Sequence, residues 1–329
     1  MEQKKEIPQP LMVTIRCCTF NHEPYIRDSL EGFVMQKTNF RFEAIVHDDA
    51  STDGTAAIIK EYAEKYPDII KPIFETENQY SKHDGSLGRI MNEHTHGKYV
   101  AYCEGDDYWI DPLKLQKQVD FLETHPDYSM CWTDAYQETN GEKVPYKRYP
   151  KDQQSPIRDI IEEGGLWIPT ASTLYRKEVI CNFPTDIYCF DYTMQVYASI
   201  LGKTYYFAEQ TCVYRYMSIG SWTSNIARQS RSEIKKRLAK EKKINEYFNR
   251  YSNYKYKEYF ERWAGKLLFN LAYYSKDFKS AQEYLKLRDK YNIQTLKVIR
   301  LEVNGHSTIA WLYRMYAKYK IVISNFIFK

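Results

Sequence analysis

The sequence predicts an α/β fold, a mostly parallel mixed sheet flanked by helices, followed by a helical extension. Two observations carry this. Short apolar runs alternate with amphipathic segments through the first half of the chain, as strand–helix–strand units do. Beyond residue 225 the strand signals stop, and the chain reads as helical, basic and rich in tyrosine. The 329 residues suffice for one large domain and a smaller piece. The expected boundaries are 10–224 and 225–329.

Met12-Val13-Thr14-Ile15-Arg16-Cys17-Cys18 reads as the first strand. Pro24 suits the first turn of a helix whose apolar side carries Ile26, Leu30, Phe33 and Val34. Phe42-Glu43-Ala44-Ile45-Val46 is a second strand, and the segment after it, residues 47–55, is rich in turn and cap residues. A helix with Ile58, Ile59, Tyr62 and Tyr66 comes next, then a strand over 69–74, a helix over 87–95 and a strand over 98–103. Asp111 reads as an N-cap with Pro112 at the first helical position. Residues 128–133 are a further strand. From 150 to 224 the pattern is mixed, with strands over 172–175, 203–207 and 211–216 and a helix over 191–201.

The formal net charge of +4 is small, but acids gather before Asp134 and bases dominate from Arg228 onward. A basic C-terminal part points to an anionic partner, a membrane surface or nucleic acid. The 7 cysteines are scattered without CxxC spacing, so they read as small buried hydrophobes in a reducing compartment. Residues 1–6 lack the apolar core of a signal peptide, and no stretch reaches the ~18 uncharged apolar residues of a spanning helix. The expected location is the cytoplasm or the inner face of a membrane.

The chemistry concentrates in Ala101-Tyr102-Cys103-Glu104-Gly105-Asp106-Asp107-Tyr108-Trp109-Ile110-Asp111-Pro112. Adjacent carboxylates just past a buried strand repel each other and desolvate badly, and they persist most easily around a cation. Oxygen-only ligands suit a hard ion such as Mg²⁺ or Mn²⁺, and such an ion serves a phosphate-bearing substrate. In a parallel sheet, ligands sit beyond the carboxyl ends of the strands. The loops Thr19-Phe20-Asn21-His22, Asp48-Asp49 and Glu104 to Asp107 should converge there.

Three blocks, in order, carry a resemblance: Thr19-Phe20-Asn21-His22-Glu23, then Asp48-Asp49-Ala50-Ser51-Thr52-Asp53-Gly54-Thr55, then Glu104-Gly105-Asp106-Asp107 with Asp111-Pro112. The chain resembles family 2 glycosyltransferases, which have the GT-A fold, over about residues 10 to 222. The resemblance implies an inverting transfer of a sugar from a UDP- or dTDP-sugar to a hydroxyl on a glycan or lipid-linked acceptor. By analogy, the setting is surface polysaccharide biosynthesis. It also implies that Asp49 accepts the imide N–H of uracil or thymine, whereas Asp53 suits a cap. Thr19, Phe20 and Asn21 match positions around the nucleotide; Phe20 reads equally as core. Asp106 and Asp107 match the acidic motif that holds a Mg²⁺ or Mn²⁺ ion, with Asp107 as direct ligand and Asp106 on the ribose or assisting the metal. The family's first acid is commonly aspartate, and here it is Glu104.

Inversion needs a base for the acceptor hydroxyl proton. Asp191 occupies that position in the resemblance, or else caps a helix; Phe190 stands where the family often has a second acid. Arg215 matches a residue able to meet the diphosphate. Met217 replaces a common histidine, and Ser221 and Trp222 suggest a lid. Trp167 and Thr170 fall in the region that faces the acceptor, and Trp167 reads alternatively as core. Residues 309–329 mix aromatic and aliphatic side chains with bases, which suits either peripheral membrane contact or packing on the protein.

Two other readings stand beside the transferase. A sugar nucleotidyltransferase would want a Gly-rich, basic loop after the first strand, which Cys18-Thr19-Phe20-Asn21 does not supply. A non-catalytic nucleotide-sugar-binding or scaffold protein is kept open by Phe190 and Met217. Nucleic-acid binding is not expected, because the acidic pocket would repel a phosphate backbone.

Overall fold

The computed structural model describes residues 10–165, 167–184, 187, 190–218, 226, 228–313 and 315. The chain divides into two compact units, Met1–Ala227 and Arg228–Lys329. The boundary expected at residue 224 lies outside the described residues, as do Ser221 and Trp222.

The first unit runs β1 (Leu11–Thr19), α1 (Ile26–Val34), β2 (Arg41–Asp48), α2 (Thr55–Lys65), β3 (Ile70–Phe74), α3 (Ser86–Glu93), β4 (Tyr99–Tyr102), β5 (Tyr108–Trp109) and α4 (Lys114–Thr124). It continues with β6 (Tyr128–Thr139), β7 (Glu142–Pro145), β8 (Gln153–Ser155), α5 (Ile157–Glu163), β9 (Thr173–Arg176), α6 (Lys177–Cys181), α7 (Asp191–Leu201) and β10 (Lys203–Arg215). The strand order is β3-β2-β1-β4-β9-β6-β10-β5, with β7 on β6 and β8 on β10. Strands β3, β2, β1, β4, β6 and β10 run one way, and β9 and β5 run against them.

The alternation in β1 explains the packing. Val13, Ile15 and Cys17 are fully buried and share a core cluster with Ile26, Leu30 and Phe33 of α1. A period of two on the strand thus meets the helical period across one interface. Thr14 and Arg16 point to the other face, where Arg16 is satisfied by Thr95, Tyr102 and Asn92.

Several boundaries differ from expectation. Asp111 does not cap α4, which starts at Lys114 with Leu113 in the cap position. Instead Asp111 Oδ1 accepts the Leu113 N–H at 2.9 Å, a local turn one step before the helix. Residues 203–207 and 211–216, read as two strands, form one continuous strand, β10. The polar residues between them mark register shifts around Gln210, not a chain break.

The second unit is helical: Arg231–Tyr251, Lys257–Trp263, a π-helical turn at Ala264–Leu268, Phe269–Tyr274, Phe278–Lys290 and Lys297–Val303. Its first helix opens on a reciprocal cap, in which Ser230 Oγ accepts the Glu233 N–H and Glu233 accepts the Ser230 N–H. Leu238, Phe248, Phe260, Trp263, Phe269 and Ala281 form part of its buried interior. No described helix is long and apolar enough to cross a membrane.

Candidate active site

The parallel strands bring their carboxyl ends to one edge. Thr19 pairs with Asp48 across β1 and β2, and Arg16 pairs with Tyr102 across β1 and β4. Beyond the strands the backbone continues the pairing: Asp49 N–H donates to Thr19 O at 2.9 Å and Gly105 N–H to Cys18 O at 3.1 Å. The three expected loops therefore meet.

The first two loops are zipped by side chains. Asn21 N–H donates to Ser51 Oγ, and Asn21 Oδ1 accepts from Thr52 N–H at 2.8 Å. Glu23 N–H donates to Asp53, while Glu23 accepts from Gly54 N–H. Asp53 also accepts from Thr55 N–H and hydroxyl, a local turn just before α2, whose cap position is held by Gly54. Asn21 and Ala50 both sit in the left-handed region, at φ 56° and 63°. For Ala50 that geometry carries steric strain. Phe20 is 45% exposed, which removes the core reading.

Asp49 is buried, and its carboxylate lies under a strap from the β3–α3 connection. Its Oδ1 accepts Gln79 N–H at 2.6 Å and its Oδ2 accepts Tyr80 N–H at 3.0 Å. Asn78 donates to the Asp49 carbonyl. A carboxylate has about four lone-pair positions, so each oxygen keeps capacity for one more donor. Nothing in the sequence pattern of 75–82 announced this strap.

The acidic block is held from behind. Asp107 Oδ1 accepts Arg215 N–H at 2.9 Å, and Ser29 Oγ donates to the Asp107 carbonyl. Asp106 Oδ2 accepts from Ser218 Oγ at 2.9 Å. Asp106 Oδ1 and Asp107 Oδ2 accept no hydrogen bond among the described residues. Burial, with the Asp106 charge beside it, pushes the Asp107 carboxyl well above the ordinary carboxylate range. Glu104 reaches the site: its Oε2 accepts Cys18 N–H at 3.0 Å. Burial first, then the charges of Asp191 and Asp106, push Glu104 up to about 8.

Arg215 sits beneath this block. Its guanidinium pairs with Asp28, lies 3.5 Å from Glu138, donates to the Asp106 carbonyl and stacks 4.3 Å over Tyr108. Ser29, Asp28 and Glu138 escaped sequence reading, because their partners lie 76 to 187 residues away.

Asp191 opens α7. It is the first helical residue and does not cap the helix: Phe190 holds the cap position, and Thr193 Oγ1 accepts its N–H. The Asp191 carboxylate hydrogen-bonds the Thr170 hydroxyl, which opposes the upward pKa shift that burial imposes. Its side chain remains accessible to solvent while protein surrounds most of it. Its charge is felt at Glu104, which puts Asp191 within electrostatic reach of the acidic block. Trp167 stacks under Arg148 at 4.6 Å and edge-on to Tyr149.

Buried polar atoms at the strand tips have no hydrogen-bond partner among the described residues: Thr19 Oγ1, His22 Nδ1 and Asp48 Oδ1. Burial holds the His22 imidazole below its usual pKa, against the pull of Asp106, Asp53 and Asp48. Each such orphan costs about 1–3 kcal/mol unless water or a ligand satisfies it. Among the described residues no group of three or more His, Cys, Asp or Glu side chains forms a ready metal cage.

Residues 14–183 match the model of Glycosyl transferase family 2, more than half of the 329 residues. The chain belongs to this family. Among its family relatives, an uncharacterized protein of Mycobacterium tuberculosis (strain ATCC 25618 / H37Rv) is 36% identical over 220 residues, 64% of this chain and 61% of that protein. The chain thus spans about three fifths of that relative's length. A crystal structure of S. aureus TarS residues 1–349 in complex with UDP-GlcNAc superposes with a TM-score of 0.56 at 16% identity, covering 93% of this chain and 92% of that one. The mannosyltransferase PcManGT from Pyrobaculum calidifontis, in complex with GDP-Man and Mn²⁺, gives 0.52 at 16% identity, covering 95% and 87%. At these identities the likeness establishes the fold, and the chain has the GT-A architecture that the motifs implied.

Proposed function

We propose that this family 2 chain is an inverting glycosyltransferase. It moves a sugar from a UDP- or dTDP-sugar to a hydroxyl on a glycan or lipid-linked acceptor, in the assembly of a surface polysaccharide. The observation that carries this reading is the convergence of the Asp49 loop and the acidic block at the carboxyl edge of the sheet, with the Asp191 charge felt at Glu104. Asp191 supplies a base and the acidic block a place for the leaving diphosphate.

Asp49 would take the imide N–H of the base on its remaining lone pairs, fixed in direction by Gln79 and Tyr80. Phe20, exposed in the loop after β1, offers a ring to the base. Asp106 Oδ1 and Asp107 Oδ2 fit a Mg²⁺ or Mn²⁺ ion, which commonly takes one or two carboxylates and completes its shell with substrate phosphates and water. The missing third carboxylate is therefore no obstacle. Such an ion would supply Lewis-acid neutralisation of the departing diphosphate. Arg215, committed to Asp28, Glu138 and the Asp106 carbonyl, positions the acids rather than meeting the phosphate.

In the transfer, the acceptor oxygen attacks the anomeric carbon from the face opposite the diphosphate. The carbon–oxygen bond to phosphate breaks, and its electron pair leaves with the diphosphate. Asp191 receives the acceptor's proton, and Thr170 holds the carboxylate in place. Its raised pKa makes it a stronger base than a solvated aspartate while leaving it ionised at higher pH.

The test is thermal stabilisation of the full chain by UDP, dTDP, GDP and CDP, with and without Mn²⁺. Ligand at a hundred times its Kd should add roughly 2.7 kcal/mol. The reading expects stabilisation by UDP or dTDP that requires metal and disappears in Asp107→Asn. No response to any nucleoside diphosphate would overturn it and favour a scaffold. A response to GDP alone would overturn the donor class.

A further inference from the structure

The charge of the chain is divided between its two units. Residues 228–329 carry 24 lysines and arginines against 9 aspartates and glutamates, a formal +15, although the whole chain is only +4. The remaining residues are correspondingly acidic. A unit this basic seeks an anionic surface, with an attraction that salt weakens.

Charge alone does not say which surface, but the apolar side chains do. Large exposed hydrophobics are scattered singly through most of the chain, which is ordinary. Four of them fall within five consecutive residues: Ile309, Trp311, Leu312 and Tyr313 are 53%, 59%, 55% and 43% exposed. Leu296, 68% exposed, joins them, because the ammonium of its neighbour Lys297 lies 5.6 Å over the Tyr313 ring. The turn that carries them is anchored. Ala310 is fully buried between them, and its N–H donates to His306 O at 2.9 Å. These side chains are thus presented by a fixed helical turn.

We infer that the Arg228–Lys329 unit docks on an anionic lipid surface through the face formed by Leu296, Lys297, Ile309, Trp311, Leu312 and Tyr313. Tryptophan, tyrosine and leucine beside lysine is the composition that settles at the boundary of headgroups and acyl chains. A soluble polyanion such as a nucleic acid would use the bases and gain little from exposed isoleucine and leucine. The surrounding lysines add long-range attraction, each worth roughly fivefold in partitioning when brought near an anionic membrane. This inference is independent of the transferase reading, since it concerns a different unit.

The experiment is co-sedimentation of the full chain with vesicles of phosphatidylcholine alone, or of phosphatidylcholine with phosphatidylglycerol, at low and high salt. The expected result is binding to the anionic vesicles that weakens with salt and is poor on neutral ones. The double variant Trp311→Ser, Leu312→Ser should lose roughly tenfold in partitioning, and Lys297→Glu should lose at least as much. Both sites are exposed, so the variants should melt like the parent, which a thermal scan checks. Single-stranded DNA and polyphosphate are run alongside. No sedimentation with anionic vesicles overturns the inference. So does binding that the serine variant leaves intact, or tighter binding to a soluble polyanion that the serine variant does not change.

Discussion

Replacing Gly105 with alanine should both destabilise the first unit and weaken nucleotide binding. Gly105 lies between two carboxylate positions of the acidic block and against the tip of β1. A Cβ built there would sit 2.8 Å from His22 Nδ1, 2.8 Å from Thr19 Cβ and 2.9 Å from Thr19 Oγ1. Ordinary contact is about 3.4–4 Å, so something must move by roughly half an ångström or more. Thr19 is 2% exposed and has little room to turn. Overpacking of this kind costs about 1–3 kcal/mol. For a unit of this size a cost of 2 kcal/mol lowers Tm by roughly 4–8 °C. The displaced groups are the orphaned Thr19 and His22, and the same loop carries Asp106 and Asp107, so UDP stabilisation should fall as well. Gly88→Ala is the control. Its Cβ meets nothing within 4 Å, and it lies in helix α3, so alanine should stabilise by up to about 1 kcal/mol. The assay is a thermal melt of each variant with and without UDP and Mn²⁺. If Gly105→Ala melts and binds like the parent, the close approach of β1 and the acidic block is wrong.

Three further predictions concern charge and backbone. As pH falls through the Asp191 pKa, which burial raises above the ordinary aspartate value, the base is protonated, so the acid limb of UDP release should lie above that of a solvated aspartate. Thr170→Val removes a hydrogen bond that lowers this pKa, so the limb should move to higher pH; a shift to lower pH would contradict the contact. Ala50→Gly relieves a left-handed alanine at φ 63° and should stabilise by about 1 kcal/mol, read by urea unfolding. Arg215→Met strips the partner from Glu138 and from the Asp106 carbonyl. It should cost about 2–3 kcal/mol, less than a fully buried pair because Asp28 is largely solvated. Metal-dependent UDP stabilisation should drop with it, and unchanged binding would show that Arg215 does not position the acids.

The strand–helix alternation was legible because core periodicity is local: Val13, Ile15 and Cys17 declare their face without reference to any other segment. The three polar loops were legible for the same reason, since each follows an apolar run directly. Contacts that join distant segments were hidden. The Asp49 carboxylate looked open to a base, yet Gln79 and Tyr80 already hold it through backbone N–H groups that any sequence would supply. The ion pair of Arg215 with Asp28 was hidden because Asp28 lies far away along the chain. The apparent break in β10 arose because a polar bulge and a loop share the same composition. Phe20 and Asp191 were each left with two readings; exposure of Phe20 and the cap on α7 remove the core and N-cap alternatives, and the functional roles remain proposals.

The most direct test of the account is Asp191→Asn in an enzyme loaded with whichever nucleotide-sugar and metal stabilise it. Turnover should fall roughly 10²–10⁴-fold while UDP still stabilises the variant as it does the parent. Turnover at the parent's rate would contradict the assignment of Asp191 as the base and with it the mechanism proposed for this cleft.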